Sequence, residues 1–103
     1  YNKKFLIDEN YYQNFLLKKT FKNNKLKYDF IFVDLFHTYE ETVDVFKTVK
    51  EFLVTGCTVL FHDYTPAFPG EKKAIDELIE SGELVIINDK CPGSLIHLKT
   101  PPF

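Results

Sequence analysis

Two short apolar runs in this sequence each end at an aspartate with a histidine close by. The first run ends at Asp34, three residues before His37, and the second ends in the dipeptide His62-Asp63. Carboxylate and imidazole groups bind divalent cations and act as general acids and bases in enzymes. The chemistry that these residue types favour is therefore metal binding or proton transfer.

Both runs are typical of strands in a parallel sheet, because they are continuous and rich in β-prone residues. They span Phe30 to Val33 and Thr58 to Phe61. Parallel strands present their carboxyl ends at the edge where α/β sheets bind ligands, and adjacent strands lie about 4.8 Å apart. We therefore expect Asp34 and Asp63 to lie within reach of one hard cation such as Mg²⁺. The alternative for either aspartate alone is a helix cap or a turn.

A helix is predicted between these two strands. Thr38 has the position of an N-cap, and Glu41 completes a capping box. The predicted helix runs to about Val54 and stops at Gly56. Its apolar stripe consists of Val43, Val45, Phe46, Val49, Phe52 and Leu53.

The remaining segments complete an alternating α/β pattern. The loop Tyr64–Gly70 holds two prolines and is excluded from helix and central strand. The other predicted elements are a strand over Lys3–Asp8, a helix over Tyr11–Phe21, a helix over Glu71–Ser81 closed by Gly82, and an antiparallel hairpin of Leu84–Ile87 with Ser94–Leu98.

The three histidines have different expected roles. His37 lies in the loop before the capped helix and is a candidate general base or orienting donor; the alternative is a surface-loop histidine. His62 is a candidate ligand, although successive strand residues point to opposite faces, so His62 and Asp63 need not share a site. His97 is expected to be a partly exposed strand residue.

Composition excludes several classes of protein. The 103 residues are 45% hydrophobic and 27% charged, with a net charge of −2, so we expect one globular domain without a basic patch for nucleic acid. No apolar run approaches the roughly 20 residues of a membrane span.

Cys57 and Cys91 are isolated; Cys57 is expected to be a core residue, and two such thiols do not form a secreted disulfide framework. The expected location is the cytoplasm, and the first residue is not methionine, so the chain is expected to be a fragment.

At this point the sequence resembles a known family. Residues 29–40 are similar to the I-D-G-D-H-S-Y-E segment of class I S-adenosylmethionine-dependent methyltransferases, in the macrocin O-methyltransferase and cephalosporin-hydroxylase-like group. Residues 56–64 resemble that group's P-G-G-x-x-x-x-H-D-Y stretch, and residues 69–78 its P-G-V-x-x-A-V-D-E-L helix. Order and spacing agree over roughly residues 28–98.

The resemblance implies a fold and a reaction. The fold would be the C-terminal half of a Rossmann-like methyltransferase sheet, with residues 1–103 forming one partial domain that lacks the N-terminal cofactor-binding half. The reaction would be methyl transfer from S-adenosylmethionine to a small-molecule hydroxyl, assisted by a divalent metal such as Mg²⁺. Asp34, Asp63 and His62 would bind the metal and His37 would be the catalytic base. Asp8, Glu9 and Leu35 would contact the cofactor.

The sequence departs from the family pattern at several positions. Leu35 replaces a glycine, and Phe36 replaces a second acid, which removes a candidate ligand or base and makes the surroundings of Asp34 more apolar. Thr55-Gly56-Cys57 keeps one of two paired glycines, and the glycine-rich turn for the methionine part of the cofactor is absent.

Two readings compete with the enzyme. A non-catalytic remnant of a Rossmann-like fold would act as a binding or assembly module, and its incomplete sheet would favour association; a homo-oligomer is left open. A phospho-receiver module is disfavoured, because the roughly twenty residues between the two acidic blocks are too few for the elements it requires, and no Lys-Pro follows a later strand.

Overall fold

The computed structural model describes residues 4–8, 28–34 and 37–101. These residues form a mixed sheet with helices between its strands. The strands are β1 (Lys4–Asp8), β2 (Tyr28–Asp34), β3 (Leu53–Phe61), β4 (Val85–Asn88) and β5 (Ile96–Lys99), and the helices are α1 (Tyr39–Val49) and α2 (Pro69–Glu80).

The sheet confirms the predicted α/β class. Its five strands lie in the order β1-β2-β3-β5-β4. The strands β1, β2 and β3 are parallel, whereas β5 pairs antiparallel with both β3 and β4. Asp8 is in register with Asp34, and Val33 with Phe61. The carboxyl ends of the three parallel strands therefore meet at one edge. The predicted helix Tyr11–Phe21 lies outside the described residues.

Alternate strand residues and the two helices build the core. Along β2 and β3 the residues of one face, such as Ile31 and Val59, are fully buried, whereas Phe30, Phe32 and Leu60 on the opposite face are only partly buried. The core cluster includes Ile31, Val33, Val59, Phe61, Ile96 and Leu98 from the strands and Val45, Phe46, Val49, Ile75 and Leu78 from the helices.

Helix α1 begins where the sequence predicts. The Thr38 hydroxyl accepts a hydrogen bond from the backbone N–H of Glu41 at 3.3 Å and donates to the Glu41 carboxylate at 2.5 Å. This satisfies one of the free N–H groups at the helix start. In the usual capping box the side chain of the third helical residue accepts from the backbone N–H of the cap residue. Here the Glu41 carboxylate accepts from the Thr38 hydroxyl instead.

The predicted end of α1 near Val54 and Gly56 is wrong. The helix ends at Val49, and residues from Leu53 onward belong to β3. Gly56 lies inside this strand with φ +73°, where the register between β2 and β3 shifts. Thr100 stabilises the irregularity, because its hydroxyl donates to the carbonyl of Val54 and accepts from the N–H of Cys57, both at 2.9 Å. Pairing with neighbouring strands here outweighs the helical spacing of the apolar residues.

The later elements match the predictions with small shifts. Helix α2 starts at Pro69, two residues earlier than predicted, because proline suits the first turn of a helix. Gly82 follows its end with φ +82°. The strands β4 and β5 form the predicted antiparallel pair one to two residues later in the chain. Neither described helix has the length and apolar character required to cross a membrane.

The two cysteines are expected to differ in reactivity. Cys57 is fully buried, and burial, with a smaller contribution from the charge of Asp29, raises the pKa of its thiol to about 12. Because the thiolate is the nucleophile, only the partly exposed Cys91 should react with Ellman's reagent at pH 8. We expect one thiol per chain in native protein and two in guanidinium chloride. Rapid labelling of both thiols in native protein would contradict the burial of Cys57.

Candidate functional site

Three predicted site residues converge at the carboxyl edge of β2 and β3. The Nδ1 atom of His62 lies 3.1 Å from Oδ2 of Asp63 and 3.6 Å from Oδ1 of Asp34. One ligand atom from each of these residues lies within 4.8 Å of the others. The side chain of Asp34 is 50% exposed and that of Asp63 is 23% exposed. The three side chains thus form an open group that solvent can reach.

The turn after β3 explains why His62 and Asp63 share this site. The backbone N–H of His62 donates to the carbonyl of Val33 at 3.1 Å, which continues the pairing with β2 one residue beyond β3. Asp63 then has φ +65°, a left-handed conformation that Asp and Asn adopt more readily than most residues. The chain leaves the strand at this point, so strand alternation no longer separates the two side chains.

The imidazole of His62 has an unusual environment. Its Nδ1 atom is buried, yet it forms no directed hydrogen bond with any described residue. The carboxylate oxygens of Asp34 and Asp63 lie near it without the alignment that a hydrogen bond needs. These three residues therefore offer ligand atoms that lie close enough together for one cation.

His37 contacts this group from the turn before α1. Its Nε2 atom lies 2.8 Å from Oδ2 of Asp63, and its ring stacks on Phe68 with 3.7 Å between centroids. Phe68 belongs to the loop between β3 and α2. The carboxylate and the aromatic ring together fix the imidazole plane, so His37 is not a free surface-loop histidine.

Two contacts hold the loop and α2 against the site. A Cβ on Gly70 would lie 3.0 Å from the backbone N of Tyr39 and 3.3 Å from the carbonyl oxygen of His37, so α2 approaches this turn too closely for a larger residue. The Tyr64 hydroxyl donates to Asp76 at 2.5 Å, and Lys72 pairs with the same carboxylate at 3.0 Å. These contacts position the loop that carries Phe68.

One acidic residue near the site was not predicted. Glu71, in the first turn of α2, is only 4% exposed. Burial, together with smaller contributions from the negative charges of Asp63 and Asp34, raises the pKa of its carboxyl group to about 8. Sequence patterns give no signal for Glu71, because an acid in the first turn of a helix is common and is usually exposed.

The predicted cofactor contacts are described only in part. The structure gives the backbone of Asp8, which ends β1 in register with Asp34. Glu9 and Leu35 lie outside the described residues. His97, predicted to be a partly exposed strand residue, has that position in β5.

Comparisons with known proteins agree with this architecture. The described fold is similar to the apo structure of CalS11, a TDP-rhamnose 3'-O-methyltransferase and an enzyme in calicheamicin biosynthesis, with a TM-score of 0.64 and 19% sequence identity. The match covers 82% of this chain and 36% of that chain, so this chain spans about a third of its length. None of the curated proteins compared with the chain matches it significantly.

A family model assigns the chain to a class of enzymes. The model described as "Methyltransferase domain" matches residues 7–64, which include the end of β1, all of β2, α1 and β3, and the His62-Asp63 turn. This match covers more than half of the chain and contains the converging residues Asp34, His37, His62 and Asp63. The chain therefore belongs to the methyltransferase-domain family.

Proposed function

We propose that this protein transfers a methyl group from S-adenosylmethionine to a hydroxyl group of a small molecule, with the help of a divalent cation. The observation that carries the proposal is the convergence of Asp34, His62 and Asp63 at the carboxyl edge of a methyltransferase-family sheet. We assign the cation to these three residues and assign the role of general base to His37.

The donor set fits a divalent cation. Ligand atoms of two carboxylates and one imidazole lie within 4.8 Å of one another, and Nδ1 of His62 has no hydrogen-bond partner among the described residues. Carboxylates favour Mg²⁺ and Mn²⁺, and an imidazole ligand suits the transition metals. When bound, such an ion polarises the acceptor hydroxyl and lowers its pKa. The half-exposed carboxylate of Asp34 leaves that side of the site open to an acceptor.

His37 is placed to accept a proton next to this group. A hydrogen bond from Nε2–H to the Asp63 carboxylate leaves Nδ1 as the accepting nitrogen of the neutral ring. The Asp63 carboxylate also orients the ring so that Nδ1 can take the proton of an acceptor hydroxyl. Stacking on Phe68 keeps the ring in one orientation and shields one of its faces from water.

The family implies that the methyl donor is S-adenosylmethionine. We expect it to bind near the carboxyl end of β1. S-adenosylmethionine supplies an electrophilic methyl group: the acceptor oxygen forms the new C–O bond while the S–C bond breaks and the sulfur loses its positive charge. We place the cofactor next to Asp8, since β1 ends beside Asp34 at the same edge. This arrangement would put donor and acceptor on adjacent strands, where positioning contributes most of the rate increase.

A second candidate is a non-catalytic binding or assembly module. The observation that favours it is β4, at the end of the described sheet, where Ile86 and Ile87 are 40% and 45% exposed. Neighbouring apolar side chains on an edge strand are a common site of association. In that case the sheet would bind a second protein, and Asp34, His62 and Asp63 would not take part in catalysis.

Binding and turnover measurements on the complete gene product distinguish these candidates. We expect S-adenosylmethionine to bind in calorimetry, and tritiated methyl groups to pass to a hydroxylated acceptor in a panel of sugars and phenols. EDTA should abolish transfer, and Mg²⁺ or Mn²⁺ should restore it. Methyl transfer at an undiminished rate in EDTA would refute the requirement for a cation. Absence of both cofactor binding and transfer would favour the binding module.

A further inference from the structure

Two residues in the described part of the chain have a left-handed backbone without being glycine. They are Asp63, with φ +65°, and Ser94, with φ +60°. Aspartate tolerates this conformation better than most residues, whereas serine has no such preference. Ser94 lies in the loop between β4 and β5 and is exposed to solvent, so packing of its own side chain does not force the conformation. Another contact must therefore compensate the strain at Ser94.

One backbone hydrogen bond joins the two left-handed residues. The N–H of Tyr64, the residue after Asp63, donates to the carbonyl of Ser94 at 2.8 Å. The last residue pair between β3 and β5 is Phe61 with Ile96, so Tyr64 lies three residues beyond that pair and Ser94 lies two residues before it. The chain that leaves β3 thus has one more residue than the facing chain, as in a β-bulge.

Residues 62–64 are held from both sides by backbone hydrogen bonds. On the side of β2, the N–H of His62 donates to the carbonyl of Val33 at 3.1 Å, and on the side of β5 the N–H of Tyr64 donates to Ser94. Asp63 lies between these two bonds, and its carboxylate is 3.1 Å from Nδ1 of His62. A change of Ser94 to a negative φ would redirect its carbonyl or move the loop, and the turn would lose its support on that side.

We propose that Ser94 is a positioning residue for the divalent-cation site. It acts through the backbone: its carbonyl holds the N–H of Tyr64, and this bond fixes the left-handed turn at Asp63. The carboxylate of Asp63 is thereby kept beside His62 before a cation binds, as expected of a preorganised site. This inference rests on the cation in the proposed function.

Two substitutions separate the backbone of Ser94 from its hydroxyl group. Ser94→Gly removes the hydroxyl and accepts the left-handed conformation without strain. Ser94→Thr keeps the hydroxyl and disfavours that conformation, because a β-branched residue is an outlier at positive φ. Both changes are made at an exposed loop position, so both variants are expected to fold.

Mn²⁺ binding to the complete gene product tests the proposal without relying on turnover. Electron paramagnetic resonance gives the concentration of free Mn²⁺ during a titration, and hence the dissociation constant. We expect Ser94→Thr to raise this constant about tenfold, as for other losses of a group that orients a metal ligand, and Ser94→Gly to leave it within about twofold.

A matched control introduces the same backbone conflict away from the site. Gly82 has φ +82°, and a Cβ added to it would have no atom within 4 Å, so Gly82→Thr strains the backbone without a clash. Gly82 follows α2, whose twelve residues separate it from the end at the site by roughly 18 Å. Gly82→Thr should lower the unfolding temperature and leave Mn²⁺ binding unchanged.

Hydrogen exchange of the Tyr64 amide reports on the supporting bond directly. We expect slow exchange in the parent and in Ser94→Gly, and faster exchange in Ser94→Thr. Equal losses of Mn²⁺ affinity in both Ser94 variants would assign the effect to the hydroxyl and refute the proposal. A similar loss in Gly82→Thr would show a general effect of strain and refute it as well.

The outcomes also separate this inference from the proposed function. If the parent protein fails to bind Mn²⁺ at millimolar concentration, the cation site as a whole is refuted. If the parent binds Mn²⁺ and Ser94→Thr binds it equally well, only the role of Ser94 is refuted, whatever the exchange rate of the Tyr64 amide.

Discussion

Replacement of Asp63 by asparagine is expected to abolish metal-dependent methyl transfer. Asp63 is the residue that contacts both histidines, His62 at 3.1 Å and His37 at 2.8 Å. Removal of a carboxylate ligand should lower the affinity for the metal at least as much as removal of a group that only orients a ligand, which costs about 10–100-fold. The same substitution removes the carboxylate that holds the ring of His37 at 2.8 Å, so turnover should fall further than affinity alone requires.

Asparagine suits this test because it preserves the backbone. Asp63 has φ +65°, and asparagine adopts the left-handed region nearly as readily as aspartate. The loss can therefore be assigned to the carboxylate rather than to a distorted turn. Alanine at this position would combine both effects.

The measurements are Mn²⁺ affinity and the initial rate of methyl transfer at saturating Mg²⁺. A matched control is Asp89→Asn, the same change at an exposed residue that follows β4, two strands away from β3. We expect the control to keep the affinity and the rate of the parent. Unchanged Mn²⁺ binding by Asp63→Asn would show that Asp63 is not a ligand.

The sequence was sufficient to predict the parallel strands and the edge where they end. Continuous apolar runs of β-prone residues before Asp34 and Asp63 are typical of buried strands, and parallel pairing then brings their ends together. The end of α1 could not be predicted in this way. Leu53 and Val54 continue the helical apolar spacing, and only their pairing with β2 and their contacts with Thr100 make them part of a strand.

Individual side chains of the site were harder to predict. The pairing of His62 with Asp63 depends on one left-handed residue, and strand alternation alone would separate their side chains. The burial of Glu71 and the close packing of Gly70 on the turn at Tyr39 could not be predicted either. Such tertiary contacts leave no periodic signal, so sequence patterns describe the frame of the site better than its individual side chains.

Replacement of Ile31 by alanine is expected to destabilise the fold by about 3–4 kcal/mol, as for other large-to-small changes in packed cores. Ile31 is fully buried in β2, and its Cα pairs with Phe5 of β1 and Val59 of β3. The cavity would thus lie in the middle of the three parallel strands. Domains of this size are stable by only about 5–15 kcal/mol, so the unfolding temperature should fall by roughly 15 °C or more.

The matched control makes the same change on the surface. Ile87 in β4 is 45% exposed, so Ile87→Ala removes atoms that already contact water and leaves no cavity. We expect it to cost less than about 1 kcal/mol in urea unfolding. Equal losses for the two variants would mean that Ile31 is not in a closely packed core. Since β2 also ends at Asp34, a shift of this strand in Ile31→Ala should weaken Mn²⁺ binding as well, whereas Ile87→Ala should leave it unchanged.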